Sequence, residues 1–520
     1  MSSELELKFA LPPSLLDRLE RDGVADRRER VRSSYYDTPD GELTRARMAV
    51  RVRLHGDRWV QTVKADTGDP FERFEWERPV AGPAPERGAL PPGSTPQGAI
   101  ARRSFKRWQP LFETDFERRA RRIEPVAGLA IECACDIGEV RCGALRTPIR
   151  ELELECLEGS RTAFFAWALG WAEREQACLI WPTKNERGLR LAGRLPAAPA
   201  PVRADAATPG PDVPPGAAAR AVLRACIVHA CANIEPILVS DAPEGPHQMR
   251  VALRRLRAAL RYFDLRGRGD GAWDALDRDA AALAAAAGRV RDADVLESGL
   301  LARLRARLPD DGALSSLADA LHAARDAARA DLRQALAAPA TTQLVLRAQV
   351  LAEGLAGPAG ADAARFATER IDVLLHRVRK RAARAQDAAG WHRTRIAVKN
   401  LRYALEFSAA ACGRPADATR AAALLARWQD ALGSTQDLSA ARDVAAAAMA
   451  GSGGSPAAAM RVTALIDGWR ACVPPPGEAR DRKIGRRALR AVRAVLRPAG
   501  SDADAPEPAA AKGCHRRHVR

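Results

Sequence analysis

Hydrophobic and polar positions divide the chain into two halves with different periods. Up to about residue 195 the period is two: Glu4-Leu-Glu-Leu-Lys8, Ala49-Val-Arg-Val-Arg53, Trp59-Val-Gln-Thr-Val-Lys64 and Glu151-Leu-Glu-Leu-Glu155 all alternate. Alternation sends successive side chains to opposite faces, so these segments are predicted as β-strands. Leu15–Leu19 and Thr162–Trp171 read as helices among them. From about residue 217 helical periodicity takes over and Ala, Leu and Arg prevail. Residues 196–216 are rich in Pro and Ala and are expected to form a semi-rigid linker that does not pack. The predicted organisation is a strand domain over 1–195, a linker over 196–216, a helical domain over 217–498 and a disordered tail over 499–520.

The helical half contains an internal repeat. His247-Gln-Met-Arg-Val-Ala-Leu-Arg-Arg-Leu-Arg257 matches His392-Arg-Thr-Arg-Ile-Ala-Val-Lys-Asn-Leu-Arg402 at an offset of 145 residues, and the same offset carries Gly288 onto Gly433 and Asp292 onto Asp437. Two copies of one helical unit predict a pair of related bundles.

Charge sharpens this division. The formal net charge is +17, and 74 of the 82 basic residues are arginine. Residues 1–195 hold 33 basic and 31 acidic residues, which leaves 49 and 34 in the remainder. Basicity therefore sits in the helical half and points there to a polyanionic partner. Part of the Arg and Ala content is explained as well by genome base bias. No basic-then-apolar leader opens the chain, and apolar stretches such as Leu283–Gly288 are too short to span a bilayer. The ten cysteines show neither metal-ligand spacing nor a disulfide framework. These features lead to the expectation of a cytoplasmic protein with no membrane partner.

Within each strand the charges share one face: Glu4, Glu6 and Lys8; Arg51 and Arg53; Glu75 and Glu77; Glu151, Glu153 and Glu155. A solvated sheet surface would carry such a pattern. So would the inside of a closed barrel, where charges need water, mutual pairing or bound ions. Clustered carboxylates suit hard divalent cations, and arginine and lysine suit phosphate oxygens. Spacing by itself leaves surface and tunnel open.

The Glu4-Leu-Glu-Leu-Lys8 opening resembles the ExExK motif of the CYTH family, the triphosphate tunnel metalloenzymes. Further elements follow in the family's order: Tyr36-Asp-Thr-Pro-Asp40, Arg51-Val-Arg53, Thr62-Val-Lys64, Glu75-Trp-Glu77, Thr114 to Arg118, Ile131-Glu132 with Asp136-Ile-Gly138, Glu151-Leu-Glu-Leu-Glu155 and Lys184-Asn-Glu-Arg-Gly188. The resemblance implies an eight-stranded antiparallel tunnel that hydrolyses a triphosphate with Mg²⁺ or Mn²⁺. It assigns phosphate binding to Lys8, Arg51, Arg53, Lys64, Arg118, Lys184 and Arg187. It makes Glu4, Glu6, Glu151 and Glu153 the favoured metal ligands, with Glu4, Glu6 and Lys8 catalytic. Glu75, Glu77, Glu132 and Asp136 are further ligands or orienters. Arg119 competes with Arg118 for one role, and Glu155 and Glu132 are expected in salt bridges.

In the helical half, His247, Arg250, Arg254, Arg257 and Arg261 fall within about 80° of one another at 100° per residue, beside an apolar stripe. The second copy repeats this with His392, Arg395, Lys399 and Arg402, and Glu406 replaces Arg261. Pairing with acids such as Asp292 and Asp437 would make this an ordinary solvated face. The His-x-x-Arg-Val-x-x-Arg-Arg-Leu-Arg motif, its second copy, Arg291-Asp-Ala-Asp294 and Leu432-Gly-Ser-Thr-Gln-Asp437 resemble a CHAD domain over about 217–498. Such domains bind inorganic polyphosphate and associate with its granules, so the two histidine-headed stripes are expected to hold polyphosphate. Gln436 and Asn400 depart from the family, and the second copy is expected to bind less tightly. His229 and His376 are expected to be packed or solvated.

The whole is expected to be α+β: a β-tunnel inorganic triphosphatase, cleaving tripolyphosphate to diphosphate and phosphate, joined to a polyphosphate-binding all-α domain of two repeated bundles. The alternatives are a granule scaffold with little turnover, or a tunnel enzyme acting on thiamine triphosphate or a nucleoside triphosphate, adenylate cyclisation included. Nucleic acid is the less favoured partner because the basic stripes lack interleaved aromatics. Preferred metal and oligomeric state are not legible in the sequence.

Overall fold

Eight strands form before residue 159, and in the computed structural model they close on themselves. They are β1 (Ser2–Ala10), β2 (Arg27–Asp37), β3 (Met48–His55), β4 (Arg58–Asp66), β5 (Glu72–Val80), β6 (Gln109–Val126), β7 (Leu129–Cys142) and β8 (Leu145–Glu158). Residues 2–21, 27–204, 209–355, 362–453 and 455–497 are described. Around the barrel the order is β1-β5-β4-β3-β2-β6-β7-β8, every neighbour antiparallel. The hairpins β6–β7 and β7–β8 turn over two residues, and Gly128 and Gly143 supply the positive φ that such tight turns need.

The predicted alternation now has a direction. Leu7, Phe9, Leu152 and Leu154 point outward and are buried, because helices cover the barrel's outer surface. The helix Arg161–Glu175 begins at Ser160, whose hydroxyl accepts from the Ala163 amide, and buries Phe164, Phe165, Ala168 and Trp171. Phe9 meets Trp171 edge-on at 5.1 Å. Each such side chain contributes about 1.5–3 kcal/mol on burial, so the apolar core lies outside the strands and the charges are left within.

The Tyr36-Asp-Thr-Pro-Asp40 segment has a local physical role. The Asp37 carboxylate, 1% exposed, accepts from the amides of Thr38, Leu43 and Thr44 and from the Thr44 hydroxyl, at 2.6–3.0 Å. It thereby pins the connection from β2 through the short helix Glu42–Arg45 to β3.

All regular structure described beyond residue 191 is helical. The chain forms two compact units. One holds the barrel, the helices from Pro215 to Glu353, and residues 437–473 with the helix Pro456–Ala471. In it the barrel is tied to the helices by Arg161, which reaches Asp69 (2.6 Å), Glu72 (2.8 Å) and Glu353 (3.0 Å), and by Arg224 on Asp69 (2.5 Å). The other unit packs the helices Ala363–Arg384, Ala388–Ser408, Pro415–Ala431 and Ala479–Val495.

The repeat survives in three dimensions. A Cβ on Gly288 would meet the Arg250 guanidinium at 3.0 Å, and one on Gly433 would meet that of Arg395 at 2.9 Å. In each copy a glycine, Gly288 within the helix Ala272–Leu296 and Gly433 in the turn after Pro415–Ala431, makes room for the arginine of another helix.

Two expectations change. The linker does pack at Val202: its amide donates to Asn233 Oδ1 (3.0 Å), and its carbonyl accepts from Asn233 Nδ2 (2.9 Å) and lies 3.1 Å from His229 Nε2. Buried polar groups on the helix end need partners, and the linker supplies them. One stretch, Pro215–Val239, is also long and apolar enough to cross a membrane, although 61% of its most apolar window is buried inside the protein. It reads as a core helix, whose apolar faces are used by neighbouring helices. The remaining expectations for Arg18-flanking Leu15–Leu19 and for Thr162–Trp171 fall within the helices Pro13–Arg21 and Arg161–Glu175.

Asp37→Ala removes the acceptor of these buried hydrogen bonds. It should cost about 2–4 kcal/mol in the barrel's unfolding transition in denaturant, against about 0.5 kcal/mol or less for the exposed Asp57→Ala.

Candidate functional site: a charged tunnel through the barrel

The inward positions of the strands line a cavity of about 250 Å³. Eight carboxylates face it (Glu4, Glu6, Glu29, Glu75, Glu77, Glu132, Glu153, Glu155), and eight Lys or Arg side chains balance them. The expected Glu4, Glu6, Lys8, Arg51, Arg53, Lys64, Arg118, Glu153 and Lys184 are all among the lining. Arg118 faces inward, whereas Arg119 turns the other way onto Glu117 (2.7 Å). Strand parity thus places only Arg118 of the two on the cavity side.

Other residues were missed by the sequence reading: Arg27, Glu29, His55 and Arg73 also line the cavity. The signal was available, since Arg27 and Glu29 share parity with Tyr35, His55 continues Arg51 and Arg53, and Arg73 precedes Glu75 and Glu77 by the same step of two.

Lys184 arrives from outside the strands. Thr183 caps the helix Lys184–Leu191 in a reciprocal capping box with Glu186, and Gly188 lets this helix lie against Phe112, whose ring a Cβ would penetrate. Lys184 Nζ then meets Asp136 (2.6 Å), Glu153 (2.8 Å) and Glu151. Burial disfavours the lysine's charge, but Asp136, Glu151 and Glu153 outweigh it and raise its pKa. Burial likewise works to raise Glu153, and Lys184, Lys8 and Arg118 hold it well below the usual carboxylate range.

Asp136, Glu151 and Glu153 can bring oxygen atoms within 4.8 Å of one another, close enough to share one ion. In this arrangement cations already lie against them: Arg118 on Asp136 (2.7 Å) and Glu153 (2.5 Å), Arg187 on Glu151, and Lys184 on all three. Glu151 and Asp136 are fully buried and stand behind the lining, as does Arg187.

A second acidic group faces the cavity itself. Glu4 and Glu75 share Lys64 (2.5 and 3.1 Å), and Glu6 holds Lys8 (2.5 Å). Glu155 makes no ion pair among the described residues, contrary to expectation, whereas Glu132 pairs with Arg27 (3.5 Å) and Arg118 (3.9 Å). Glu155 sits among Glu4, Glu6 and Glu75; burial and then Glu4 push its carboxyl up to about 8, and burial and then Glu153 raise Glu6. Opposite in character is the Arg51–Arg53 pair. Burial and then Arg51 lower the Arg53 pKa, and the buried Nε atoms of both have no hydrogen-bond partner among the described residues. The tunnel thus has one group with too many carboxylates for its cations, and another where Arg53 is held by Glu77 (3.1 Å) while the Nε donors of Arg51 and Arg53 stay spare. The first fits a hard cation by its donor set, and the second fits an oxyanion.

In the helical half the eight stripe residues are all half-buried. Arg250 pairs with Asp292 (2.7 Å) and Arg257 with Asp277 (2.8 Å), so part of the first stripe is neutralised as a solvated face would be. In the second stripe Arg402 pairs with Glu406 (2.5 Å), the residue that replaces Arg261. His229 is buried against Gln248 (3.1 Å) and is a packed residue. His376 lies exposed on the helix Ala363–Arg384. Asp437 falls in the first unit, and the side chain of Gln436 lies outside the described residues.

A closed antiparallel barrel with charges of both signs inside, followed by a repeated helical domain, defines a two-domain class. Residues 2–171 match the CYTH domain family and residues 221–446 the CHAD domain family, so the chain carries a domain of each kind. It is 28% identical over 173 residues to the inorganic triphosphatase of Haemophilus influenzae; the match covers 31% of this chain and only 47% of that relative. The CHAD domain from the plant Ricinus communis is 34% identical, covering 57% of this chain and 96% of that one at a TM-score of 0.45. A Hippeastrum protein with a dominant triphosphatase activity is 18% identical, covering 37% and 98% at a TM-score of 0.25.

Lys184→Ala would leave Asp136, Glu151 and Glu153 short of a cation. In EDTA the variant should lose about 3–5 kcal/mol of stability. Mg²⁺ or Mn²⁺ should restore more of the melting temperature to the variant than it adds to the parent, as thermal melts with and without metal would show.

Proposed function

We propose that the tunnel hydrolyses inorganic triphosphate to diphosphate and phosphate with the help of Mg²⁺ or Mn²⁺, and that the helical domain binds inorganic polyphosphate. The observation that carries the first part is the division of a charge-balanced cavity into a carboxylate-rich group and a guanidinium-rich group. A bare triphosphate would leave the carboxylates around Glu155 uncompensated, and a bare cation would leave the spare donors of Arg51 and Arg53 unanswered. A metal–triphosphate complex satisfies both.

Glu4 and Glu6, with Glu153, are the residues that would hold the cation at the cavity; Glu151 and Asp136 would act from behind through Lys184. When bound, the cation supplies charge neutralisation on the phosphoryl oxygens and a water of lowered pKa. Arg51, Arg53 and Arg118 present planar forks to the phosphoryl oxygens, and Lys8 and Lys64 add mobile point charges. These groups neutralise the charge that spreads over the transferring phosphoryl group and keep attack and departure in line. The strands fix each of them before substrate arrives, so little reorganisation is needed during reaction. Arg187 holds Glu151, and through it the position of Lys184. The identity of the Haemophilus influenzae relative supports the inorganic substrate.

The test is phosphate release by the purified protein from tripolyphosphate, thiamine triphosphate, ATP and long-chain polyphosphate, with Mg²⁺, Mn²⁺ or EDTA. Selective, metal-dependent cleavage of tripolyphosphate is expected. Selective turnover of thiamine triphosphate or ATP would move the assignment to that substrate. No turnover alongside tight polyphosphate binding would make the protein a scaffold. The pair Glu4→Gln with Glu6→Gln should lower turnover by about three orders of magnitude or more while the melt stays cooperative; full activity would refute the placement of the metal.

For the helical domain, His247 gives a sign. Burial and then Arg291 hold its pKa below the ordinary histidine value, with Arg254 and Arg250 acting the same way and Glu244 against them. A bound polyanion favours the protonated ring and raises that pKa, so protons and polyphosphate help each other to bind. Affinity should rise as pH falls from mildly alkaline to mildly acidic and level off below the lowered free-state value. Titrations of His247→Gln beside the parent should show a flatter profile; equal slopes would exclude this histidine.

A further inference from the structure

The last described helix, Ala479–Val495, lies beyond the residues matched to the CHAD family and outside both histidine-headed stripes. Its seventeen residues include seven Lys or Arg and one acid, Asp481. Asp481 is buried and accepts from the Gly477 amide at 2.9 Å, so it serves the helix start and not the arginines. The apolar positions Gly485, Ala488, Val492 and Val495 are buried. Gly485 brings the helix onto Trp428 of the Pro415–Ala431 helix: a Cβ there would lie 2.5 Å from the indole. The helix is therefore fixed to its bundle by one face, and its cations face solvent.

Those cations are all exposed. Arg482 donates to the Gly477 carbonyl (2.7 Å), but Lys483, Arg486, Arg487, Arg490 and Arg493 make no ion pair among the described residues. This differs from the first stripe, where Asp292 and Asp277 neutralise Arg250 and Arg257. Steps of three and four align these side chains in rows about 5–6 Å apart along the axis, over a helix about 25 Å long. Like charges so arranged repel one another at a cost to helix stability, which a polyanion would offset. The exposed positions hold no aromatic, Asn, Gln, Ser or Thr that could stack on or read a base. What the row can recognise is an unbroken run of phosphoryl oxygens.

We propose that the exposed face of Ala479–Val495 is a second polyphosphate-binding surface, separate from the histidine-headed stripes. This rests on the polyphosphate reading above and locates a further site for the same ligand. Because the side chains are already extended into solvent with few acids to displace, this surface carries a larger share of the salt-sensitive affinity than the second stripe, where Glu406 holds Arg402.

The experiment uses the full chain and long-chain inorganic polyphosphate as the probe, with binding read by competition against a labelled chain at two salt concentrations. The variant Arg486→Gln/Arg487→Gln/Arg490→Gln/Arg493→Gln should lose about tenfold or more in affinity and show a shallower salt dependence. A control of equal charge loss, Arg87→Gln/Arg174→Gln/Arg303→Gln/Arg305→Gln, should stay within about twofold of the parent. Tripolyphosphate turnover should be unchanged in both, which also shows that the barrel is intact. A loss no greater than the control's overturns the proposal, as does loss of duplex DNA binding with polyphosphate affinity retained. If Arg250→Gln/Arg254→Gln abolishes binding while the helix variant keeps it, this site fails and the stripe reading stands. If the parent binds no polyphosphate, both fail together.

Discussion

Closure of the barrel is the constraint on which the rest depends. In an open sheet the charged face of Glu4-Leu-Glu-Leu-Lys8 could look into water and the leucines into a core. Closing eight strands removes that freedom: one face of every strand must line a cavity of about 250 Å³, too small to solvate sixteen charges as bulk water would. Isolated charges in such a place would cost several kcal/mol each. The sequence meets the cost by balance, with equal numbers of acids and bases and a dense set of ion pairs among Lys8, Lys64, Arg118, Lys184 and their carboxylates.

Balance in number is not balance in place. The ion pairs satisfy Asp136, Glu151 and Glu153 almost completely, yet leave Glu155 and Glu6 with raised pKa values and the Arg51 and Arg53 Nε atoms without hydrogen-bond partners among the described residues. These residual mismatches are the part of the tunnel that a ligand can relieve. Their chemistry is complementary within one cavity, which is why a metal–polyanion complex suits it better than either component by itself.

The helical half obeys a different economy. Around the repeated motif, arginines sit in partly buried positions, each copy made possible by a glycine packed against its arginine and each partly answered by an acid. On Ala479–Val495 the apolar face is used for packing and the cations are left in water. Arg161 and Arg224 meanwhile gather Asp69, Glu72 and Glu353 into a largely buried cluster that joins the barrel to the helices beside it. Helical domain and tunnel are thus built from the same charge types under different degrees of burial.

Much of this was present in the sequence. A period of two in Glu4–Lys8 and Glu151–Glu155 determines that leucines and glutamates part company, and the His247 and His392 motifs determine a repeated helical unit, because both are local consequences of backbone geometry. Inward residues left out of that reading, such as Arg27 and Arg73, were open to the same parity rule. What the sequence could not decide is which face of each strand is inside, since that depends on closure by β1 pairing with both β5 and β8. Nor could it show that Glu151 stands behind Lys184 while Glu155 faces Glu4, because ion pairing in a barrel joins residues up to 145 positions apart. Periodicity is a property of a segment, whereas the balance of buried charge is a property of the closed surface those segments make together, and tertiary structure alone decides it.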